Sequence, residues 1–177
     1  MKSFKILSSE MISDVPYCRI EKQRVILPNK TETDWYIKHS EPAVVIIPVL
    51  KSGEILLQRT YKHGCGKVVV EFPAGLVDNK EAPAFTAERE LREETGYVAE
   101  DIIPLGRCCA DATGSKMTYY FFLAQGCEKL TEPTLDDSEQ IQSFTVASFA
   151  DVTHEFLAGE YETSSSSLAA LAAALKG

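Results

Sequence analysis

The sequence predicts an α/β fold, a sandwich around a mixed β-sheet. Apolar, β-branched runs of strand length recur along the 177 residues, and segments with helical spacing lie among them. The chain is long enough for one domain with its own core.

The elements before residue 41 are predicted to form a β-rich N-terminal extension. Two strand-like stretches, Tyr17 to Leu27 and Asp34 to Lys38, flank the turn-forming residues Pro28, Asn29 and Lys30. This divides the chain into an extension, residues 1–40, and a larger domain, residues 41–177, with a C-terminal helix.

The larger domain begins with a hairpin pattern, in which Ala43 to Val49 and Glu54 to Arg59 flank a turn at Lys51, Ser52 and Gly53. The apolar run Val68 to Val70 predicts a further strand, which ends near Pro73.

A helix is predicted from Pro83, a residue that suits the first helical turn, to Gly96, which suits a left-handed stop. Ala84, Ala87 and Leu91 form its apolar stripe. The later predicted elements are strands at Ile102–Ala110, Met117–Ala124 and Ile141–Thr145, a helix at Ser148–Ala158 with Ser148 as N-cap, and a helix at Leu168–Leu175. Ser164 to Ser167 is either a loop or a helix start.

Three glutamates on the first predicted helix share one face. Glu90, Glu93 and Glu94 have i, i+3, i+4 spacing, so their like charges repel each other. A hard divalent cation such as Mg²⁺ prefers oxygen ligands and often shares them with substrate phosphates. The alternative is a solvated acidic helix face.

Residues 75–97 resemble the Nudix box. The residues that match its fixed positions are Gly75, Glu81, Arg89, Glu90, Glu93, Glu94 and Gly96. Leu91 fills the inner apolar position, and Tyr97 stands where an aliphatic residue is commoner. The resemblance implies a Nudix-type α/β/α sandwich and metal-dependent hydrolysis of a diphosphate bond.

The same resemblance implies roles for individual residues. The expected ligands of Mg²⁺ or Mn²⁺ are Glu90, Glu93 and Glu94, with the carbonyl of Gly75 or Ala74 close by. Arg89 is expected to pair with Glu81 and to orient the glutamates, the alternative being a solvated surface cation. Glu139, in the acidic stretch before the strand at Ile141, is the candidate general base; an ordinary exposed loop carboxylate is the alternative.

The flanks of the box, Gln58–Lys62 and Glu71–Asp78, resemble the ADP-ribose and nucleoside-diphosphate-sugar pyrophosphatases. This group implies a nucleotide-derivative substrate, most simply ADP-ribose, that is cleaved to a nucleoside monophosphate and a sugar phosphate. Lys62 stands where that group often has arginine, and Thr113 stands near the place of a common proline, so ADP-ribose and related nucleotide sugars both stay open.

The candidate substrate-binding residues are Arg59, Lys62, Glu71 and Trp35. Trp35 suits stacking on a nucleobase, with a hairpin-core or dimer contact as the alternative. For Arg59 the alternative to a phosphate contact is a cross-strand surface charge. GDP-sugars, dinucleoside polyphosphates and nucleoside triphosphates are alternative substrates, and a non-catalytic nucleotide-binding regulator is the alternative to an enzyme.

Composition limits the partners. A net charge of −8 argues against nucleic-acid binding through a basic face, and no run suits a signal peptide or a membrane span. Five cysteines without CxxC spacing indicate reduced thiols and a cytoplasmic protein. The N-terminal extension, which the resembling pyrophosphatases use to dimerise, predicts a two-fold homodimer.

Overall fold

The computed structural model describes residues 3–78 and 81–175. The chain divides into two compact units, one formed by residues 1–42 with 108–118 and the other by residues 43–107 with 119–177. None of the helices in the described residues is long and apolar enough to cross a membrane. The α/β prediction is confirmed, with a separate antiparallel sheet at the N-terminus.

The first unit is built on a three-stranded antiparallel meander. Its strands are β1 (Lys5–Val15), β2 (Cys18–Ile26) and β3 (Glu32–His39). The sequence analysis did not predict β1, because its side chains are almost all exposed and it carries no burial alternation. The segment 111–116 adds to β3, where the Lys38 N–H donates to the Gly114 carbonyl and the Lys116 N–H donates to the Lys38 carbonyl.

The second unit contains a mixed sheet. Its strands are β4 (Ala43–Leu50), β5 (Ile55–Lys62), β6 (Lys67–Glu71), β7 (Ala74–Leu76), β8 (Tyr97–Val98), β9 (Asp101–Cys109), β10 (Thr118–Lys129), β11 (Ile141–Val146) and β12 (Glu162–Thr163). The main order is β12-β6-β5-β4-β10-β8, with β11 on β5, β7 on β4 and β9 on β10. The β4–β10 and β6–β12 pairs are parallel.

The predicted hairpin of β4 and β5 is only partly formed. The turn closes through the N–H of Gly53, which donates to the Leu50 carbonyl, but the two strands pair only at Val49 and Ile55. Beyond that point β4 instead pairs with β10 and β7. Its residues are buried on both faces, as expected of a central strand between helical layers.

One face of the sheet is covered by α1 (Pro83–Thr95), whose Ala87 and Leu91 pack with Val44, Ile46 and Phe122. This packing fixes the angle at which the helix presents its glutamates.

The other face is covered by α2 (Phe149–Leu157) and α3 (Ser165–Ala174). Phe72 packs edge-on against Phe156 of α2, and its N–H donates to the Ser167 hydroxyl of α3. The Ser148 side chain accepts from the Asp151 N–H, so the predicted N-cap of α2 is confirmed. The serine run starts α3, with Ser164 as the N-cap.

Candidate active site

The helix α1, which carries the predicted glutamates, has a defined start and a defined end. It has proline in its first turn and ends at Gly96, whose φ of 77° is left-handed and whose N–H donates to the Arg92 carbonyl. Ala87 and Leu91 are fully buried. Because α1 packs along this apolar side, the backbone positions of the glutamates on the adjacent face are fixed.

A cavity of about 500 Å³, which we term the carboxylate cavity, collects most of the predicted site residues. The predicted residues that line it are Ala74, Gly75, Arg89, Glu90, Glu93, Glu94 and Glu139. Its other lining residues are Leu76, Asp78, Thr134 and Asp136, which the sequence analysis did not single out. Asp136 lies in the acidic stretch that pointed to Glu139, whereas Thr134 carries no comparable sequence signal.

Gly75 forms a cradle for Glu90. A Cβ atom at position 75 would lie 2.0 Å from the Glu90 carboxyl carbon, so only glycine leaves room for that carboxylate beside β7. On the neighbouring residue, the Ala74 N–H donates to Glu94 Oε2 at 3.1 Å. The β7 backbone therefore binds Glu94 through a hydrogen bond and leaves space for the Glu90 carboxylate.

Arg89 lies at the centre of an ion-pair network. Its Nη1 is 2.9 Å from Glu90 Oε1 and 2.8 Å from Glu93 Oε2, and its Nε is 3.4 Å from Glu81 Oε1. Glu81 is itself fixed by the Thr86 hydroxyl at 2.8 Å. Burial disfavours the charged guanidinium, but the hydrogen bond to Glu93 and the charge of Glu90 outweigh burial and raise the pKa of Arg89.

The glutamates differ in their electrostatic environment. Glu94 is buried, and burial together with the charge of Glu90 raises its pKa to about 8. Burial also raises the pKa of Glu90, although the adjacent Arg89 charge opposes the shift. The Glu139 charge contributes to both increases, so this loop carboxylate faces the same cavity.

The donor set suits a divalent cation, although the side chains are not arranged as a finished cage. Within residues 3–78 and 81–175, no group of three acidic, His or Cys side chains converges as in a formed metal site. Arg89 instead pairs with both Glu90 and Glu93. The buried Glu94, by contrast, has no ion-pair partner among the described residues, and a bound cation would remove the charge penalty that raises its pKa.

A second cavity, of about 480 Å³, adjoins the first and shares Ala74, Gly75 and Leu76 with it. We term it the lysine cavity because Lys62 lines it, paired with the buried Glu71 at 2.6 Å. The structure thus brings these two predicted substrate-binding residues next to the glutamate face.

Arg59 lies elsewhere. It is three positions from Lys62 on β5, so it projects from the opposite face of the strand. Its guanidinium stacks 3.8 Å from the Phe144 ring centre, lies 3.7 Å from Glu155 and lines a groove with Tyr161. Neither of the two cavities includes Arg59 in its lining.

Trp35 belongs to the first unit. Its indole N–H donates to the Thr113 carbonyl at 3.0 Å, and its ring packs edge-on against Phe4 at 5.4 Å. These contacts are of the hairpin-core kind that was the alternative to nucleobase stacking. They also fix Thr113, the residue that stands where the related pyrophosphatases often have proline.

Comparison with known proteins agrees with this geometry. The family model described as the NUDIX domain matches residues 39–167. The chain belongs to the Nudix family. The predicted Nudix fold is also confirmed by a solved structure, the crystal structure of an ADP compounds hydrolase. It superposes with a TM-score of 0.79 at 20% identity and covers 99% of this chain and 94% of that chain.

Its Nudix relatives include pyrophosphatases. The ADP-ribose pyrophosphatase of Bacillus subtilis (strain 168) is 29% identical over 149 residues, which are 82% of this chain and 80% of that protein. The ADP-sugar pyrophosphatase of Mus musculus is 36% identical over 113 residues, 54% of this chain and 49% of that one. The methanol dehydrogenase activator of Bacillus methanolicus is 29% identical over 136 residues, 76% of this chain and 74% of that protein. The predicted Nudix pyrophosphohydrolase, similar to ADP-ribose pyrophosphatases, is confirmed.

Proposed function

We propose that this Nudix protein hydrolyses the diphosphate bond of a nucleotide sugar, with ADP-ribose as the leading substrate, and that it requires Mg²⁺ or Mn²⁺. The observation that carries the proposal is the carboxylate cavity, which is lined by three helix glutamates, by strand β7 at Ala74 and Gly75, and by a loop glutamate. The adjoining lysine cavity offers room for the rest of such a substrate.

In this proposal Glu90, Glu93 and Glu94 hold the cation, with the Ala74 or Gly75 carbonyl nearby. Bound there, the cation supplies charge neutralisation for the diphosphate and lowers the pKa of the attacking water. Arg89 and Glu81 keep the glutamates in place through their ion pair.

Glu139 is the general base in this scheme. It accepts a proton from water while the water oxygen bonds to phosphorus and the bridging P–O bond breaks. The products are a nucleoside monophosphate and a sugar phosphate. Lys62, which pairs with Glu71, binds a phosphate or a sugar hydroxyl of the substrate in this scheme.

The choice of substrate is supported by two relatives whose names specify ADP-ribose and ADP-sugars. GDP-sugars, dinucleoside polyphosphates and nucleoside triphosphates are the competing substrates. A non-catalytic regulator is the competing function, and one relative is named as an activator of methanol dehydrogenase. The complete set of box glutamates with Arg89 favours the enzyme.

A screen of nucleoside diphosphate derivatives with Mg²⁺, resolved by product chromatography, tests the proposal. We expect AMP and ribose 5-phosphate from ADP-ribose, and loss of turnover in EDTA. Efficient hydrolysis of nucleoside triphosphates with negligible cleavage of ADP-ribose and its sugar analogues contradicts the substrate, while the Nudix assignment stands. No turnover of any compound supports the regulator instead.

We further propose that the two parts of the chain have different tasks. Residues 1–40 serve as a dimerisation and substrate extension, and residues 41–177 form the catalytic domain. Exposed apolar side chains on β1, including Ile6, Ile12 and Val15, support a homodimer contact. The five cysteines are free thiols, which supports a cytoplasmic location.

A further inference from the structure

The last turn of α1 is hydrogen-bonded to a distant segment, residues 130–140, which we term the base loop. The Leu130 and Thr131 N–H groups donate to the Gly96 carbonyl at 3.0 and 3.2 Å, and the Thr134 N–H donates to the Glu93 carbonyl at 2.7 Å. A helix leaves its final carbonyls without intrahelical partners. Here the base loop provides partners for two of these carbonyls, so its start is fixed to the end of α1.

Gly96 allows a closer approach than a helix stop requires. Its φ of 77° alone favours glycine. In addition, a Cβ at this position would lie 2.0 Å from the Thr131 carbonyl oxygen and 2.9 Å from its carbon. Both are backbone atoms, which cannot rotate away as a side chain can. Any side chain at position 96 therefore displaces the base loop.

The loop also holds Glu139 in a defined orientation. The Asp136 N–H donates to Glu139 Oε2 at 2.9 Å, and the Glu139 N–H donates to the Asp136 carbonyl at 2.9 Å. Within the described residues, Glu139 Oε1 has no hydrogen-bond partner, so it is the oxygen available to accept a proton. At the far end of the loop, the Tyr61 N–H donates to the Gln140 carbonyl at 3.3 Å.

We propose that Gly96 is a positioning residue for hydrolysis: it allows the base loop to pack on the end of α1 and so sets Glu139 opposite Glu90 and Glu94. This inference rests on the proposed function, since it concerns the same reaction. It assigns the terminal glycine of the box a task beyond ending the helix, namely coupling the metal-binding face to the base.

Gly159 provides a matched control. It also follows a helix, and its φ of 82° is left-handed, but a Cβ there would meet nothing within 4 Å. Gly159→Ala therefore introduces the same backbone strain as Gly96→Ala without displacing a neighbouring segment. The difference between the two variants isolates the contact with Thr131.

The test is a double-mutant cycle with Glu139→Gln, measuring kcat and KM for ADP-ribose with Mg²⁺. We expect Gly96→Ala to lower kcat at least about tenfold relative to Gly159→Ala, with KM changed less than about threefold, because the base and not the binding site is displaced. In the Glu139→Gln background the same substitution is expected to change kcat less than about twofold, since the base it displaces is already gone.

An equal loss of kcat in both backgrounds, or equal effects of the two alanine variants, overturns the proposal. If Glu139→Gln retains wild-type kcat, the base assignment and this proposal both fail, while Mg²⁺-dependent hydrolysis by the wild type still supports the proposed function. If Gly96→Ala does not fold, amide hydrogen exchange on the wild type tests the docking of the base loop instead. The Leu130, Thr131 and Thr134 amides are expected to exchange at least about tenfold more slowly than that of Asp137, and equal rates contradict the docking.

Discussion

The pairing of Gly75 with Glu90 shows how a single residue type shapes this site. The glycine is needed because the Glu90 carboxylate lies where a Cβ would be. That carboxylate also forms an ion pair with Arg89, which in turn pairs with Glu93 and Glu81. Displacing one side chain therefore disturbs the whole acidic array and not a single ligand.

We expect Gly75→Ala to lower turnover at least about tenfold, in line with the loss of one well-placed electrostatic contact. The protein should still fold, because the displaced atoms are the end of a flexible side chain. Steady-state kinetics with thermal unfolding measures both effects. Gly64→Ala is the control, since a Cβ there meets nothing within 4 Å. Equal turnover in the two variants would contradict the requirement for glycine beside Glu90.

The elements differ in how far the sequence determined them. The helix α1 and its glutamates were predictable because Pro83, Gly96 and the apolar residues Ala87 and Leu91 are local signals. Ala84, predicted as part of the same apolar stripe, is exposed. The strand β1 was not predictable, because its exposed side chains show no alternation of apolar and polar residues. Its formation depends on pairing with β2, which is not visible in the local sequence. The close contact between Thr131 and Gly96 could not be predicted either, since it lies between backbone atoms of residues 35 positions apart in the sequence.

Side-chain placement on strands depends on register, which explains the outcome for Arg59. The sequence predicted either a phosphate contact or a cross-strand surface charge for this residue. The strand β5 instead directs the two side chains to opposite faces, and Arg59 stacks on Phe144 of β11. Lys62 and Glu71 stay together because both project toward the lysine cavity.

The β-meander of the first unit contains a buried acid whose charge is strongly supported. Glu21 accepts hydrogen bonds from Gln23, Ser9, Lys116 and His39, in that order of effect, and these hold its pKa well below the usual range. The Lys116 bond also ties the segment that carries Thr113 to β2. This carboxylate is therefore expected to stabilise the unit only while it is ionised.

The sign of the pH dependence follows from the lowered pKa of Glu21. Its stabilising contribution is complete above the unfolded pKa of about 4.3 and declines as the pH falls toward the folded value. We expect the difference in unfolding free energy between wild type and Glu21→Gln to shrink from pH 6 to pH 3.5, measured by urea unfolding. For Glu10→Gln, at an exposed position on β1, the difference should stay small at both pH values. A Glu21→Gln difference independent of pH would contradict the role of the charge.

For the molecule as a whole, the exposed apolar residues of β1 set the expected assembly. Light scattering should give twice the 19.6 kDa chain mass at micromolar concentration. A variant with Ile6→Glu and Ile12→Glu should be monomeric, because it places charges at the proposed contact. Leu157→Glu, at an exposed apolar position of α2, should remain dimeric. A monomeric wild type, or an unchanged double variant, would contradict the homodimer.

If the carboxylate cavity is the place of catalysis, Glu94 is needed for turnover, and Glu94→Gln tests this most directly. Burial and the charge of Glu90 raise the pKa of Glu94. Its replacement by neutral glutamine removes the cost of a buried charge and the repulsion from Glu90, so it should not lower the stability of the metal-free protein. Glu88→Gln makes the same chemical change at an exposed position of α1. With ADP-ribose and Mg²⁺, we predict that Glu94→Gln lowers kcat at least about a hundredfold and that Glu88→Gln stays within about twofold of wild type. Near-normal turnover in a folded Glu94→Gln variant would contradict the account.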